Sequence, residues 1–237
     1  MAQNSGNGAL NFEQFAALTF DCYGTLIDWE RGLLGALQPI LRAHGQDLSD
    51  PQILDIYGDL EPMAQNPYQR YRKVLADVVR GFGERLNFSV SDAEANSLPA
   101  SLKNWLPFPD TRAALEKLGR KYKLAIISNI DDDLFAASAR RLQIKFDQVI
   151  TAQQAKAYKP SLAPFELALE RLGLPPERVL HVGQSVYHDV VPAKSLGMAT
   201  VLVYRRGAGA ARPGKGEPDL RVPDLQSLAA HAVGIKS

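Results

Sequence analysis

The sequence predicts an α/β fold, a Rossmann-like doubly wound parallel sheet interrupted by a helical insertion. Three observations lead there. Between residues 110 and 204, short apolar runs of strand length alternate with segments of helical period. Between residues 29 and 106 no strand pattern occurs in the sequence. Polar residues gather just past the ends of the apolar runs, where open α/β sheets bind ligands.

A chain of 237 residues suits one large domain, or a core with a smaller insertion. Hydrophobic content of 46% and charged content of 22% are those of an ordinary globular enzyme. The net charge of +1 gives no field that would favour nucleic acid or an acidic membrane. The single cysteine, Cys22, rules out an internal disulfide and reads as a small buried apolar residue. No apolar run approaches the about 20 residues of a membrane helix. The first residues, rich in Asn and Gly, lack a signal-peptide pattern, so a cytoplasmic location is expected.

In order, the reading is a flexible tail over 1–13, a core formed by 14–29 and 107–237, and a helical insertion over 30–106. The first strand spans 17–21. A helix over 30–44 carries Leu33, Leu34, Leu37, Ile40 and Leu41 at helical spacing, with Pro39 as a kink. Asp50-Pro51 opens a second helix, which fades at Glu61-Pro62. Tyr68, Tyr71, Val74, Leu75, Val78, Val79, Phe82 and Leu86 make one stripe of a third helix, which serves the insertion's own core or a homodimer. A shorter helical piece covers 92–105. The core then reads as helix 110–120, strand 123–128, helix 131–142, strand 146–151, helix 162–172, strand 178–182, helix 188–196 and strand 200–204. Residues 205–218 read as a mobile loop and 224–233 as a closing helix.

The first strand delivers Asp21 to its carboxyl end. Gly24 lets the chain turn so that backbone amides curl around the acid. A carboxylate held there can attack an electrophile, and it can equally cap the next turn. Ser128-Asn129 ends another strand and makes an anion cradle or a helix cap. Asp131-Asp132-Asp133 fits a helix first turn better than a metal site. Lys159, fixed beside Pro160, could neutralise two carboxylates and grip an anion. Asp189 follows Gly183-Gln184-Ser185 at a further strand end.

This order of Asp with Gly-Thr, then Ser, then Lys-Pro, then Gly with Asp resembles the haloacid dehalogenase (HAD) superfamily over nearly the whole chain. The resemblance implies Asp21 as nucleophile, Ser128 as the anion-cradle hydroxyl, Lys159 as the charge-balancing lysine, Asp189 as the late acid and a helical cap over 30–106. Phosphatases of that superfamily normally have an Asp two residues after the nucleophile, to protonate a leaving alkoxide, and an Asp after the glycine of the last motif, to help hold magnesium. Tyr23 and Gln184 stand there instead. Asp21-Cys-Tyr-Gly-Thr-Leu resembles the L-2-haloacid dehalogenase (type II) branch, which implies attack at C2 of a small carboxylic acid with inversion and no cofactor. That branch also has an arginine on the early cap helices that cradles halide, and an asparagine three residues before the late acid. The placement 57–59 holds no arginine, Arg70 and Arg72 lie further on, and Val186 replaces the asparagine. Asp59 and Glu61 are expected on the active-site side of the insertion, where acids suit an amine leaving group. The stretches around Asp21 and Ser185 to Asp189 are also similar to azetidine-2-carboxylate hydrolases of the same superfamily.

The expected site is therefore Asp21, Lys159 and Asp189 as catalytic groups. Tyr23, Thr25, Ser128, Asn129, Asp59, Glu61 and Ser185 are expected around the substrate, with Tyr158 and Tyr187 as further wall residues. Two rival readings remain. One is a magnesium-dependent small-molecule phosphatase, with the metal on Asp21, the Tyr23 carbonyl and Asp189. The other is a binding protein with a decayed site, for which a buried nucleophile would have no use.

Overall fold

The computed structural model describes residues 10–205 and 214–234. A six-stranded sheet in the order β3-β2-β1-β4-β5-β6 forms the core, with every strand pair parallel. The strands are β1 (Ala17–Phe20), β2 (Lys123–Ser128), β3 (Gln148–Thr151), β4 (Val179–Gly183), β5 (Ala199–Val203) and β6 (Leu220–Val222). β1 and β4 are buried throughout, which is why they read as continuous apolar runs rather than alternating ones. Helices α5 (Thr111–Leu118), α6 (Asp132–Leu142), α7 (Ala152–Ala155), α8 (Ala163–Leu172), α9 (Val191–Ser195) and α10 (Leu225–Val233) accompany the sheet. Chain order runs outward from β1 in both directions, so the switch point lies at the carboxyl end of β1.

Between β1 and α5 the described chain is helical: α1 (Trp29–Ala43), α2 (Asp50–Ala64), α3 (Tyr71–Leu86) and α4 (Asp92–Ser101). α3 packs on α2 and α4, and α1 on α4. The predicted stripe of α3, from Val74 to Phe82, is buried within this lobe. The lobe joins the core through paired linkers. Ile27 bridges Pro107, and the Phe108 amide donates to the Leu26 carbonyl at 3.0 Å.

Several expectations change. α1 holds Pro39 within it, as expected, whereas α2 continues through Pro62 to Ala64 instead of fading there. An interior proline costs about 3 kcal/mol; burying Ile40 and Leu41 beyond Pro39, at about 1.5–3 kcal/mol each, outweighs it. The third helix starts at Tyr71, leaving Tyr68 outside it. The helix expected at 188–196 opens as a π turn, Val186–Val190, before α9. Of the expected tail, residues 1–9 lie outside the described residues; Leu10 and Phe12 pack against the core and Phe12–Gln14 forms a 3-10 turn. Of the expected loop at 205–218, residues 206–213 lie outside the described residues. Arg205 itself is pinned: it binds both Asp110 carboxylate oxygens at 2.8 and 3.0 Å and donates to the Thr25 carbonyl at 2.9 and 3.1 Å. β6 is not predicted by the sequence, because three residues carry too little pattern. No described helix is long and apolar enough to cross a membrane.

Candidate active site

Strand register brings the polar groups together. Phe20 pairs with Ile126 on one side and Val182 on the other, so Asp21, Ser128 and Gly183 finish at nearly one level. The Asp21 amide continues the ladder, donating to the Val182 carbonyl at 2.9 Å. Its carboxylate has a donor on each oxygen: Lys159 Nζ on Oδ1 at 2.8 Å and Thr25 Oγ1 on Oδ2 at 2.7 Å. Gly24, at φ +99°, makes the turn that returns Thr25 to the acid. Arg205, through the Thr25 carbonyl, fixes that turn from behind.

Lys159 Nζ also donates to Asp189 Oδ1 at 2.6 Å, so one ammonium bridges two carboxylates. Asn129 positions it: Oδ1 accepts from the Lys159 amide at 2.7 Å and Nδ2 donates to the Lys159 carbonyl at 3.2 Å. Asp189 Oδ2 accepts from the Ser185 amide at 3.1 Å. Behind it, His181 Nε2 lies 3.3 Å from Oδ1 and Nδ1 lies 2.8 Å from Thr19 Oγ1. A carboxylate can only accept, so Nε2 carries the hydrogen and the Thr19 hydroxyl serves Nδ1.

Burial shapes the charges. It raises Asp21 above the usual carboxylate range, against the pull of Lys159. Burial also works against ionised Asp189, but Lys159 and His181 outweigh it and hold that carboxyl well below the usual range. Lys159, which burial alone would lower, is pushed up to about 12 by Asp189 and Asp21. Cys22 is fully buried, and burial drives its thiol upward, so it stays an uncharged packing group.

Above these groups lies a cavity of about 130 Å³. The core contributes Asp21, Tyr23, Ser128, Asn129, Lys159, Gln184, Ser185, His188 and Asp189; the helical lobe contributes Trp29, Tyr57, Gly58, Glu61 and Tyr71. The Tyr71 hydroxyl donates to Glu61 Oε1 at 3.1 Å and lies 3.0 Å from the Tyr57 hydroxyl. Burial pushes both tyrosines far up, so both phenols remain donors.

Of the expected residues, Thr25 does not line the cavity; it braces Asp21 from below. Asp59 is a plain correction: it is exposed and paired with Arg85 at 2.8 Å. On α2, Tyr57, Gly58 and Glu61 share a face at helical spacing, while Asp59, two residues from Glu61, points about 160° away from it. Asn129 lines the cavity but spends its amide on Lys159, and the Ser185 hydroxyl accepts from the His188 amide at 3.1 Å. The Tyr23 hydroxyl lies 2.7 Å from Ser138 Oγ, so the ring rather than the phenol serves the wall. Tyr158 and Tyr187 are not in the wall. Arg70 and Arg72 pair with Asp131 and Asp133, and no arginine is among the described residues lining the cavity. Trp29, Tyr57, Tyr71 and His188 are wall residues that the sequence does not single out; the face shared with Glu61 is the available signal for Tyr57.

Gly183 carries a close approach. A Cβ there would sit 2.5 Å from Asp189 Cγ. Gly183→Ala is expected to cost about 1–3 kcal/mol by overpacking and to lower turnover by displacing Asp189. A melting curve and steady-state kinetics check this, and native-like values in both would refute it.

A parallel sheet with a lysine-braced carboxylate at its switch point, beneath a helical lobe, is the layout of an enzyme that works at the carboxyl ends of its strands. The chain belongs to the haloacid dehalogenase-like hydrolase family, whose family model matches residues 15–197. It is 25% identical over 230 residues to haloacetate dehalogenase H-2 of Moraxella sp. (strain B), covering 94% of this chain and 100% of that protein. It is 26% identical over 216 residues to the (S)-2-haloacid dehalogenase of Pseudomonas sp. (strain YL), covering 89% and 91%. The structure of L-2-haloacid dehalogenase from Xanthobacter autotrophicus superposes with a TM-score of 0.79 at 22% identity, covering 93% and 99%, a likeness of fold.

Proposed function

We propose that this hydrolase replaces a leaving group at C2 of a small carboxylic acid with hydroxyl, through an ester on Asp21. The observation that carries the reading is the Asp21 carboxylate at the cavity floor, aimed by Lys159 and Thr25. A carboxylate oxygen attacks C2 from the face opposite the leaving group. The C–X bond breaks and its electron pair leaves with X. Water then adds to the Asp21 carbonyl carbon; one of its protons ends on the departing C2 oxygen and the other passes to solvent, which releases the 2-hydroxy acid with inverted configuration and restores the carboxylate. Lys159 balances Asp21 and Asp189, and the Ser128 hydroxyl in the cavity wall offers a donor to the substrate carboxylate. The relatives named above as dehalogenases of small 2-halo acids support the substrate class.

The reading needs no metal. All four oxygens of Asp21 and Asp189 already accept from protein donors, and the position after Gly183 is the neutral Gln184. That donor set suits an ammonium better than magnesium, which prefers carboxylates and water. This favours carbon chemistry over the phosphatase alternative.

Glu61 bears on the leaving group. The cavity wall has three carboxylates, Asp21, Asp189 and Glu61, against Lys159, and three aromatic rings from the helical lobe. Such a wall favours a protonated amine over a halide. A strained ring amine leaves as its C–N electrons return to an already protonated nitrogen, so no further acid is required.

The experiment is turnover in oxygen-18 water of 2-haloacids, 2-carboxylated cyclic amines and phosphate monoesters, with and without magnesium. Label entering Asp21 with metal-free product is expected; phosphate release only with magnesium would overturn the reading. Glu61→Gln is expected to lower kcat/KM about ten-fold on the amine substrates and to spare or improve the haloacids. An equal effect on both would remove Glu61 from leaving-group selection.

A further inference from the structure

Asp131 occupies the N-cap position of α6, yet its carboxylate makes no capping bond to its own helix. It turns to the helical lobe instead. Oδ1 accepts from the Tyr71 amide at 3.1 Å and from Arg70 Nε at 3.0 Å; Oδ2 accepts from the Arg72 amide at 2.9 Å. These are first-turn amides of α3, which have no partner within a helix. Arg70, at the N-cap position of α3, supplies no side-chain cap. A core carboxylate, 1% exposed, therefore caps a helix of the other lobe.

The same segment is held a second time, by the Tyr158 hydroxyl donating to the Gln69 carbonyl at 2.6 Å. Both holds arise from loops that build the site. Asp131 lies two residues past Asn129, and Tyr158 immediately precedes Lys159. The residue they deliver, Tyr71, lines the cavity and donates to Glu61.

We propose that Asp131 is a positioning residue for the reaction: by capping α3 across the lobe boundary it sets Tyr71, and through it Glu61, in the cavity wall. It takes no part in the chemistry and does not line the cavity. A sequence that gives up a local cap for a distant one breaks a local rule in favour of tertiary placement. The inference rests on reading this cavity as the substrate site.

The test compares full-length Asp131→Asn and Arg70→Ala with the native chain, by amide hydrogen exchange and by kinetics on the best substrate of the panel. Asparagine keeps one acceptor and the side-chain volume; Asp131→Ser serves should it fail to fold. In the Asp131 variant the Tyr71 and Arg72 amides are expected to exchange about ten-fold faster. KM is expected to rise about five- to ten-fold with kcat within about two-fold. Arg70→Ala, which removes the ion pair and leaves both amide bonds, is expected to show neither change. Unaltered exchange, faster exchange with unaltered KM, or Arg70→Ala reproducing the whole effect would each overturn the proposal. If the native chain turns over nothing in the panel, the functional reading falls by itself. The Tyr71 ring resonances then decide the positioning: a shift in Asp131→Asn supports it and their constancy refutes it.

Discussion

Asp21→Asn is expected to lower kcat by about 10⁴-fold or more, equivalent to about 5.4 kcal/mol of barrier, and to leave the fold intact. The carboxamide matches the carboxylate in shape. Its oxygen can still accept from Lys159, and its nitrogen can face the Thr25 hydroxyl. What it lacks is a nucleophilic oxygen able to form the ester. Loss on this scale separates a nucleophile from a residue that only orients or caps, for which a 10- to 100-fold loss would be ordinary. The measurement is kcat alongside the melting temperature and the mass of the peptide containing residue 21 after turnover in oxygen-18 water. Retained activity without label would mean that water attacks the substrate directly and that Asp21 is not the nucleophile.

Lys159→Met is expected to be the most destabilising single change near the site, at about 3–5 kcal/mol at neutral pH. Methionine fills a similar volume, so the loss is not a cavity effect. It arises because Asp21 and Asp189 are left buried and facing each other without the ammonium that lies 2.8 and 2.6 Å from them. Removing one partner of a buried pair leaves the desolvation penalty uncompensated. The pH dependence follows. Without Lys159, burial and mutual repulsion hold at least one of the two carboxyls above its unfolded value of about 3.9. A carboxyl raised in the folded state favours folding while protonated, and that contribution is lost as pH rises through the folded pKa. The deficit relative to the native chain should therefore narrow as pH falls from 7 toward 4. Urea unfolding of both proteins across that range measures it, and a constant or widening deficit would show that the carboxylates are not the cause. Turnover should fall by about 10³-fold as well, since protonated Asp21 cannot attack.

Much of this was legible in the residues because it depends on local order along the chain. Alternating apolar runs and helical stripes report a parallel sheet with flanking helices, since each must bury a face or a stripe. Asp21, Ser128, Lys159 and Asp189 stand out by their order along the chain and the resemblance that this order carries, since each alone reads equally as a cap or a solvated loop residue. Boundaries were less legible at a helix end such as Pro62, beyond which α2 runs only two residues, or where the element is as short as β6.

The helical lobe shows the limit most clearly. Glu61 and Asp59 are equivalent as letters, two positions apart; which one faces the cavity depends on the rotation of α2 against the core, and only Glu61 shares the face of Tyr57. Thr25 and Asn129 were placed at the site but not in their roles, because a hydroxyl or amide at a strand end can meet a substrate or brace a neighbour with equal local sense. Asp131 reads as a first-turn acid of its own helix and caps another. Such choices are settled by donors and acceptors from segments tens of residues apart meeting in a low-dielectric interior, where an unpaired group is costly and the partner is set by packing. The sequence by itself determined the fold class and the order of the four polar groups, three near strand ends and Lys159 in a loop. Only the tertiary structure decided which side chains of the helical lobe face them, because that depends on how one helix is turned against another.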